Sequence, residues 1–310
     1  MIFVIFVSLF LLCNYFITKT NHYKNIYIQF DKFDGVPGKL DIVNIGSGPS
    51  YYNFKWDAIK GVRGYNLALA PEDFRYDFRV LERYIHNLKI GGVVVVVVCP
   101  LSFGENEYLE KAGFSEKYAK ILSWNKVDVS LFRYLVNKYF PLIRHIKHFA
   151  SFLSNESIID PYAKEDSIKN DEERKNNADN IYKGWLSENA YLKDMKDPST
   201  SVYYKEVFNK RKKELKKIID FIIECRMTPV IVIPPLSEYL REYFSKQFLR
   251  EFFYNNIDFL YEKNIMVLDY LEDDRFSDLS LYSNGIFLQN DNRDYFTKVV
   301  YDTIKERYGD

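Results

Sequence analysis

Short apolar runs alternate with amphipathic helical patterns along most of this 310-residue chain. Such alternation predicts parallel β-strands joined by crossover helices. The plainest run is Gly91-Gly92 followed by six valines, which is typical of a central strand covered on both faces. The predicted strands are 40–46, 64–69, 92–98, 229–234 and 265–270. They indicate an α/β fold with three α/β/α layers and a five-stranded parallel sheet.

Helical spacing of apolar residues predicts crossover helices from Asp73 to Leu88 and from about 204 to 225. Residues 154–200 break this rhythm, because 166–177 hold charged and amide side chains with almost nothing to bury. We therefore predict one domain over 39–310, with a polar, solvated insertion at about 154–200.

The first 17 residues are apolar apart from Ser8 and Asn14. At ~1.5 Å per residue they reach roughly 25 Å, which suits a single-pass anchor at the short end and also the apolar part of a signal peptide. No Ala-x-Ala-like cleavage site follows, and Leu12 is bulky for a lipoprotein signal. We interpret residues 1–17 as a membrane anchor or uncleaved signal, and residues 18–38 as a linker. Lys19 and Lys24 follow the segment, a charge pattern that favours a cytoplasmic domain.

Composition excludes some classes of function. The chain has 43 Lys and Arg residues against 43 Asp and Glu, so no net field attracts nucleic acid, and we predict no nucleic-acid partner. Cys13, Cys99 and Cys225 form no closed disulfide set. Cys13 lies in the apolar N-terminal segment, and Cys99 and Cys225 are interpreted as buried thiols. His145 and His148 share a helix face but lack a nearby acidic partner, so no metal site is predicted.

Candidate chemistry lies at the carboxyl ends of the strands, where open parallel sheets bind ligands. The first strand ends at Gly46-Ser47-Gly48-Pro49-Ser50, and Asn66 follows the start of the second. The loop before the last helix reads Asn284-Gly285-Ile286-Phe287-Leu288-Gln289. The glycine turn lacks the GxGxxG spacing and the P-loop lysine, so no nucleotide cofactor is predicted.

From residue 40 to 308 this arrangement resembles the SGNH/GDSL hydrolase superfamily, in particular its membrane-anchored branch of teichoic-acid D-alanylation and polysaccharide O-acetylation proteins. Val43 to Pro49 occupies that branch's hydrophobic-Asn-hydrophobic-Gly-Ser-Ser-His pattern. Asn66 is similar to the residue that helps to build the oxyanion site. The loop 284–289, with Phe296-Thr297 further on, occupies the frame of Asp-x-x-His-Leu-Asn.

All three triad positions implied by the resemblance are altered. The nucleophile position is Gly48, the position of the orienting aspartate is Asn284, and the base position is Phe287. Phenylalanine accepts no proton, and a serine without a base is a weak nucleophile. Ser47 and Ser50 flank the nucleophile position as weak catalytic candidates, and Ser47, Gly48 and Asn66 form the expected pocket. His22 and His86 are not expected to reach it, and His145 and His148 are interpreted as a solvated or rim-facing pair.

Three functions stay open at this point. The first is a membrane-anchored, catalytically degenerate SGNH-like protein of bacterial cell-surface polysaccharide or cell-wall modification, which binds a glycan or assists an active envelope enzyme. The second is an active esterase or O-acyltransferase that uses Ser47 or Ser50 with a non-standard base. The third is a structural platform with interaction faces on the aromatic-rich segments 129–150 and 238–262. The resemblance implies a domain outside the cytoplasmic membrane, against the lysine pattern.

Overall fold

The computed structural model describes residues 2–104, 115–145, 156–188, 195 and 203–308. Its α-helices are α1 (Ile2–Lys19), α2 (Asn21–Tyr27), α3 (Gly48–Asn53), α4 (Phe74–Tyr84), α5 (Leu131–Tyr139), α6 (Pro141–His145), α7 (Pro161–Asp166), α8 (Asp171–Glu188), α9 (Tyr203–Glu224), α10 (Glu238–Arg241), α11 (Lys246–Phe248), α12 (Asn255–Glu262) and α13 (Asp291–Tyr308). A π-helical turn, Leu249–Tyr254, joins α11 to α12. Short 3₁₀ helices lie at Ile28–Gly35, Trp56–Ala58, Ile85–Asn87, Ser115–Lys120, Trp124–Lys126, Asp274–Phe276 and Leu279–Leu281.

The sheet confirms the predicted fold class of a three-layer α/β/α protein with a five-stranded parallel sheet. Its strands are β1 (Leu40–Ile45), β2 (Gly64–Asn66), β3 (Leu88–Val97), β4 (Thr228–Ile233) and β5 (Met266–Asp269). They pair in the order β2-β1-β3-β4-β5, and every pairing is parallel. This is the flavodoxin-like order of a doubly wound sheet. The valine run forms the middle strand β3, as its apolar character on both faces predicts.

Alternate residues of the strands pack against helices on the two faces of the sheet. Val95 and Val97 of β3 belong to a buried cluster with Phe296, Val300 and Ile304 of α13. Val94 and Val96, which point to the opposite face, are fully buried as well. Because both faces are covered, the strand ends are the part of the sheet left for a site.

The chain divides into two compact units, and the sheet belongs to the larger one, Val36–Glu107 with Tyr162–Asp310. The smaller unit comprises Met1–Gly35 and Tyr108–Pro161. In it, Phe30 is buried edge-on against Tyr118, with ring centroids 5.4 Å apart. Residues 18–38, which were expected to be a linker, therefore include α2 and a packed 3₁₀ helix. The local pattern lacked the long apolar stripe from which a packed segment is inferred.

The polar insertion is only partly the solvated excursion that its composition predicts. Arg174 of α8 is buried, and its guanidinium donates to the carbonyls of Ile168 (3.1 Å), Lys169 (2.9 Å) and Tyr282 (2.9 Å). A second arginine, Arg293 of α13, pairs with Asp166 at 2.8 Å. The segment 166–174 thus packs on the loop before α13 through Arg174 and on α13 itself through the ion pair of Asp166 and Arg293. A hydropathy pattern does not predict such contacts, because it treats arginine as a solvent-exposed residue, whereas Arg174 and Arg293 are buried.

Candidate functional site

The carboxyl end of β1 lies at the point where the strand order reverses, between β1 and β3. Doubly wound sheets bind their ligands at this position. The turn Gly46-Ser47 leads from β1 into α3. Gly46 has φ +128°, and a Cβ there would lie 2.9 Å from the carbonyl oxygen of Val97, so only glycine fits the turn.

A buried hydrogen-bond network centred on Asn44 fixes the turn. The amide nitrogen of Asn44 donates to the carbonyl and hydroxyl oxygens of Ser50 (3.0 and 2.9 Å) and to Oδ1 of Asn66 (3.0 Å). Its Oδ1 accepts the indole N–H of Trp56 at 2.7 Å. One side chain therefore ties β1 to α3, β2 and the 3₁₀ helix that follows α3.

Ser50 and Asn66 have structural roles in this network. Ser50 is fully buried, and its hydroxyl donates to the carbonyl of Ile45 at 2.8 Å. The amide nitrogen of Asn66 donates to the carbonyls of Ser50, Tyr51 and Phe54, at 3.2, 3.0 and 3.2 Å. Asn66 thus caps the last turn of α3 instead of pointing its N–H groups toward an oxyanion.

Ser47 is the one serine of the turn that is not buried. It is the N-cap residue of α3, and its Oγ accepts the backbone N–H of Glu72 at 3.1 Å. Of the histidines, His22 and His145 belong to the smaller unit, and His148 lies outside the described residues. His86 precedes β3 and so lies toward the opposite end of the sheet. No histidine in the described part of the larger unit is placed to act as a base for Ser47.

Gly48 and Phe287 meet at the positions that the resemblance assigns to the nucleophile and the base. A Cβ at Gly48 would lie 2.9 Å from Cε1 and Cζ of the Phe287 ring. The ring therefore occupies the volume into which a side chain at residue 48 would project. The two residues are sterically linked, since a side chain at residue 48 would overlap the Phe287 ring in this position.

The loop that carries Phe287 is held by asparagines. Oδ1 of Asn284 accepts the backbone N–H groups of Ile286 (3.2 Å) and Phe287 (3.0 Å), which makes a local side-chain-to-backbone turn. Asn53 of α3 donates to the carbonyl of Ile286 (3.0 Å) and accepts the N–H of Leu288 (2.9 Å). Asn284 thus shapes the loop, and Asn53 fastens it to the helix that starts at Gly48.

Aromatic side chains surround the contact between Gly48 and Phe287. The Phe287 ring stacks on Tyr52 with centroids 4.4 Å apart, and Tyr51 stacks on Tyr162 at 5.6 Å. The guanidinium of Arg293 lies 4.9 Å from the centroid of the Tyr162 ring. Tyr52, Tyr162 and Phe287 are half-buried and expose part of their rings. We call Tyr51, Tyr52, Tyr162 and Phe287 the aromatic cluster.

The sequence did not reveal this cluster. Tyr51 and Tyr52 directly follow the turn in the sequence, but Tyr162 belongs to the insertion. Its contact with Tyr51 joins residues more than a hundred positions apart, and its hydroxyl donates to the carbonyl of Tyr51 at 3.0 Å. Burial, with Glu165 nearby, raises the pKa of Tyr52 to about 12, so this phenol stays neutral at physiological pH.

Two buried carboxyl residues, Glu72 and Asp77, make hydrogen bonds with the turn Gly46-Ser47. Asp77 of α4 accepts the backbone N–H of Gly46 and is hydrogen-bonded to Glu72. Asp73, the N-cap of α4, pairs with Arg75 (2.9 Å) and Arg211 (3.3 Å). Burial is the main cause that raises the pKa of Asp77 to about 7, and the charge of Asp73 adds to it. Asp77 is therefore largely protonated below neutral pH.

The described residues offer little for metal or thiol chemistry. They contain no group of three His, Cys, Asp or Glu side chains that is placed to hold a metal ion. Cys99, after β3, contacts the hydroxyl of Ser102 (Sγ to Oγ 3.3 Å), and burial raises the pKa of its thiol. A raised pKa lowers the thiolate fraction, which disfavours nucleophilic chemistry by this residue.

Comparison with known proteins adds no family to this description. No protein-family model matches the chain, and no curated protein matches its sequence. A function is therefore inferred from the fold and from the side chains at the carboxyl end of β1.

We expect the substitution Gly48→Ala to destabilise the protein by about 1–3 kcal/mol, because the new Cβ overlaps the Phe287 ring. In a Phe287→Ala background the same substitution should be neutral or stabilising, since alanine is the better helix former by about 1 kcal/mol. Urea unfolding of the detergent-solubilised full chain measures this double-mutant cycle. Gly184→Ala, at a helical glycine with open space around it, is the matched control. Equal costs of Gly48→Ala in both backgrounds would contradict the contact.

The substitution Asp77→Asn should change how stability depends on pH. In the wild type, burial raises the folded-state pKa of Asp77 from the ordinary value of 3.8 to about 7. The neutral carboxyl is therefore buried at little cost at low pH, and the free energy of unfolding falls as pH rises from about 4 to 7. The variant should therefore gain stability relative to the wild type by up to about 4 kcal/mol between pH 4 and pH 8. Denaturant midpoints at the two pH values test this. A constant difference would show that Asp77 does not titrate in that window.

Proposed function

We propose that this chain is a membrane-anchored, SGNH-like protein of cell-surface polysaccharide or cell-wall modification that has lost hydrolase chemistry and serves as a binding or accessory component. The observation that carries the proposal is the contact between Gly48 and the Phe287 ring. These are the residues that the resemblance assigns to the nucleophile and the base. Glycine has no side chain to attack an acyl group, and phenylalanine accepts no proton.

Loss of chemistry at this point is supported by the fate of the neighbouring polar groups. Ser50, Asn66 and Asn284 all make hydrogen bonds that fix backbone, and each of them is thereby a structural residue. An active site holds its reactive groups toward a substrate. Here the same positions hold the turn, α3 and the loop before α13 together.

The aromatic cluster supports a binding role for the same end of the sheet. Tyrosine and phenylalanine rings provide rigid apolar surface with little loss of conformational freedom on binding. Sugar rings present faces of C–H groups that pack on aromatic rings. Tyr52 adds a neutral hydroxyl that donates or accepts a hydrogen bond. A cell-surface glycan is therefore the partner that this cluster suits, and an active envelope enzyme is the other partner class we propose.

Membrane attachment rests on α1. Among the described residues it is the one helix long and apolar enough to cross a bilayer, with a mean hydropathy of 2.0 over 18 residues. The side chains that it exposes are mostly large and apolar. We propose that α1 anchors the chain, with the sheet-containing unit outside the cytoplasmic membrane as the family resemblance implies.

The alternative function, an active esterase or acyltransferase, now depends on Ser47. A fluorophosphonate probe tests it on the full chain in detergent, beside an active serine hydrolase. We expect no adduct by intact mass, because no histidine among the described residues of the larger unit is placed beside the hydroxyl. An adduct that disappears in Ser47→Ala but persists in Ser50→Ala would overturn the non-catalytic proposal.

The same probe tests the assignment of the triad positions. The triple variant Gly48→Ser, Asn284→Asp, Phe287→His replaces the three altered side chains and removes the ring from the space of residue 48. We expect it to form an adduct with the probe at the new serine, while the double variant without Phe287→His stays unlabelled. A folded triple variant that never labels would contradict the match of residues 48, 284 and 287 to the triad.

Glycan binding is tested by affinity electrophoresis of the full chain in gels that contain purified cell-surface polysaccharide or teichoic acid. We expect retardation that falls several-fold in Tyr52→Ala, because the ring stacked on Phe287 supplies apolar contact area. Tyr308→Ala, at an exposed tyrosine near the end of α13, is the matched control. No retardation with any polymer would favour the envelope-enzyme partner over the glycan.

A further inference from the structure

One side of α5, in the smaller unit, exposes large apolar side chains. Leu131, Phe132, Leu135 and Tyr139 are 47%, 73%, 38% and 56% exposed. At 100° per residue these four positions fall within an arc of about 100° on the helix, which is the width of a buried stripe in a globular protein. We call these four side chains the α5 face.

The opposite side of α5 is packed against other residues of the smaller unit, so the orientation of the helix is fixed. Tyr134 and Asn137 are buried, and the hydroxyl of Tyr134 donates to the carbonyl of Leu122 at 3.1 Å. The buried carboxylate of Glu116 accepts from Asn137 at 3.3 Å and pairs with Arg144 of α6 at 2.8 Å. These contacts set the rotation of α5 and keep its apolar side directed outward.

The apolar helix α1 packs beside the end of this structure. The Phe10 ring stacks on Phe140, with centroids 5.9 Å apart. Oδ1 of Asn14 accepts the backbone N–H of Leu142, the second residue of α6, at 3.0 Å. The amide nitrogen of Asn14 donates to the carbonyl of Phe10 at 2.8 Å. Both the oxygen and the nitrogen of this buried amide therefore have a hydrogen-bond partner.

The position of Lys19 sets the depth of these contacts in a bilayer. Lys19 is the basic residue in the last turn of α1, and in the proposed anchor it marks the surface of the bilayer. Asn14 and Phe10 lie about 7 and 14 Å along the helix from Lys19. Phe140 and Leu142, which contact them, therefore lie beside the part of α1 that is inside that surface.

We infer that α5 and α6 form a second membrane contact, in which the α5 face lies in the interfacial layer of the bilayer beside α1. This rests on the proposed anchoring by α1. Lys138 lies at the edge of the apolar arc, while Arg133 lies on the opposite side of α5 and pairs with Glu116 at 3.4 Å. The ammonium of Lys138 suits the headgroups of anionic lipids while the apolar arc enters the acyl boundary.

Depth-dependent fluorescence quenching tests the inference. The full chain, with its three cysteines replaced by alanine, carries one NBD-labelled cysteine and is reconstituted into phosphatidylcholine–phosphatidylglycerol vesicles with or without brominated acyl chains. Phe132→Cys and Leu135→Cys probe the α5 face, and Arg133→Cys, on the other side of the helix, is the matched control. Phe6→Cys reports on α1 itself.

We expect blue-shifted, strongly quenched emission at residues 6, 132 and 135 and weak quenching at residue 133. Quenching at residue 6 with none at 132 and 135 would overturn the second contact and leave the anchor intact. In that outcome, blue-shifted emission at 132 would assign the α5 face to a protein partner such as a second copy. Absence of quenching at residue 6 would overturn the anchor and the inference that rests on it.

Discussion

The side chain of Asn44 is the interaction on which the site end of the sheet depends. Its amide is buried at the end of β1, where an unsatisfied polar group would cost about 1–3 kcal/mol, and it makes four hydrogen bonds to three other elements. Ser50, Asn66 and Trp56 can satisfy it only if α3, β2 and the following 3₁₀ helix are all in place. The position of Gly48 follows from that arrangement, and so does the surface against which Phe287 packs.

The same dependence gives the polar residues of the turn a structural role. Asn44 and Asn66 stabilise it through hydrogen bonds that need no nucleophile or base. In the loop before α13, the ring of Phe287 fills the volume beside Gly48. The carboxyl end of β1 thus combines a hydrogen-bonded turn with an apolar contact. An aromatic surface beside such a contact suits recognition more than acyl transfer.

The sequence predicted the sheet well because its signals are local and strong. Six valines define β3, and strand-length apolar runs define its neighbours. It assigned Asn66 to an oxyanion site because the motif suggests a residue's position but not the direction in which its amide points. Neither Tyr162 nor Arg174 was recognised, since their partners are distant in sequence and both lie in a segment of polar composition. The resemblance singled out Gly48, Asn284 and Phe287, but the fit of the Phe287 ring to Gly48 required coordinates.

The helix α1 is packed against other helices of the smaller unit. Asn14 and Ile17 are buried, and Asn14 satisfies a backbone N–H of α6 that would otherwise face an apolar helix. A removable signal peptide gains nothing from such contacts, because they are lost on cleavage and leave Leu142 without its acceptor. An anchor that stays in the chain gains a fixed angle between its span and the packed helices beside it. The packing of α1 therefore favours a retained anchor over a cleaved signal, a choice that length and hydropathy alone leave open.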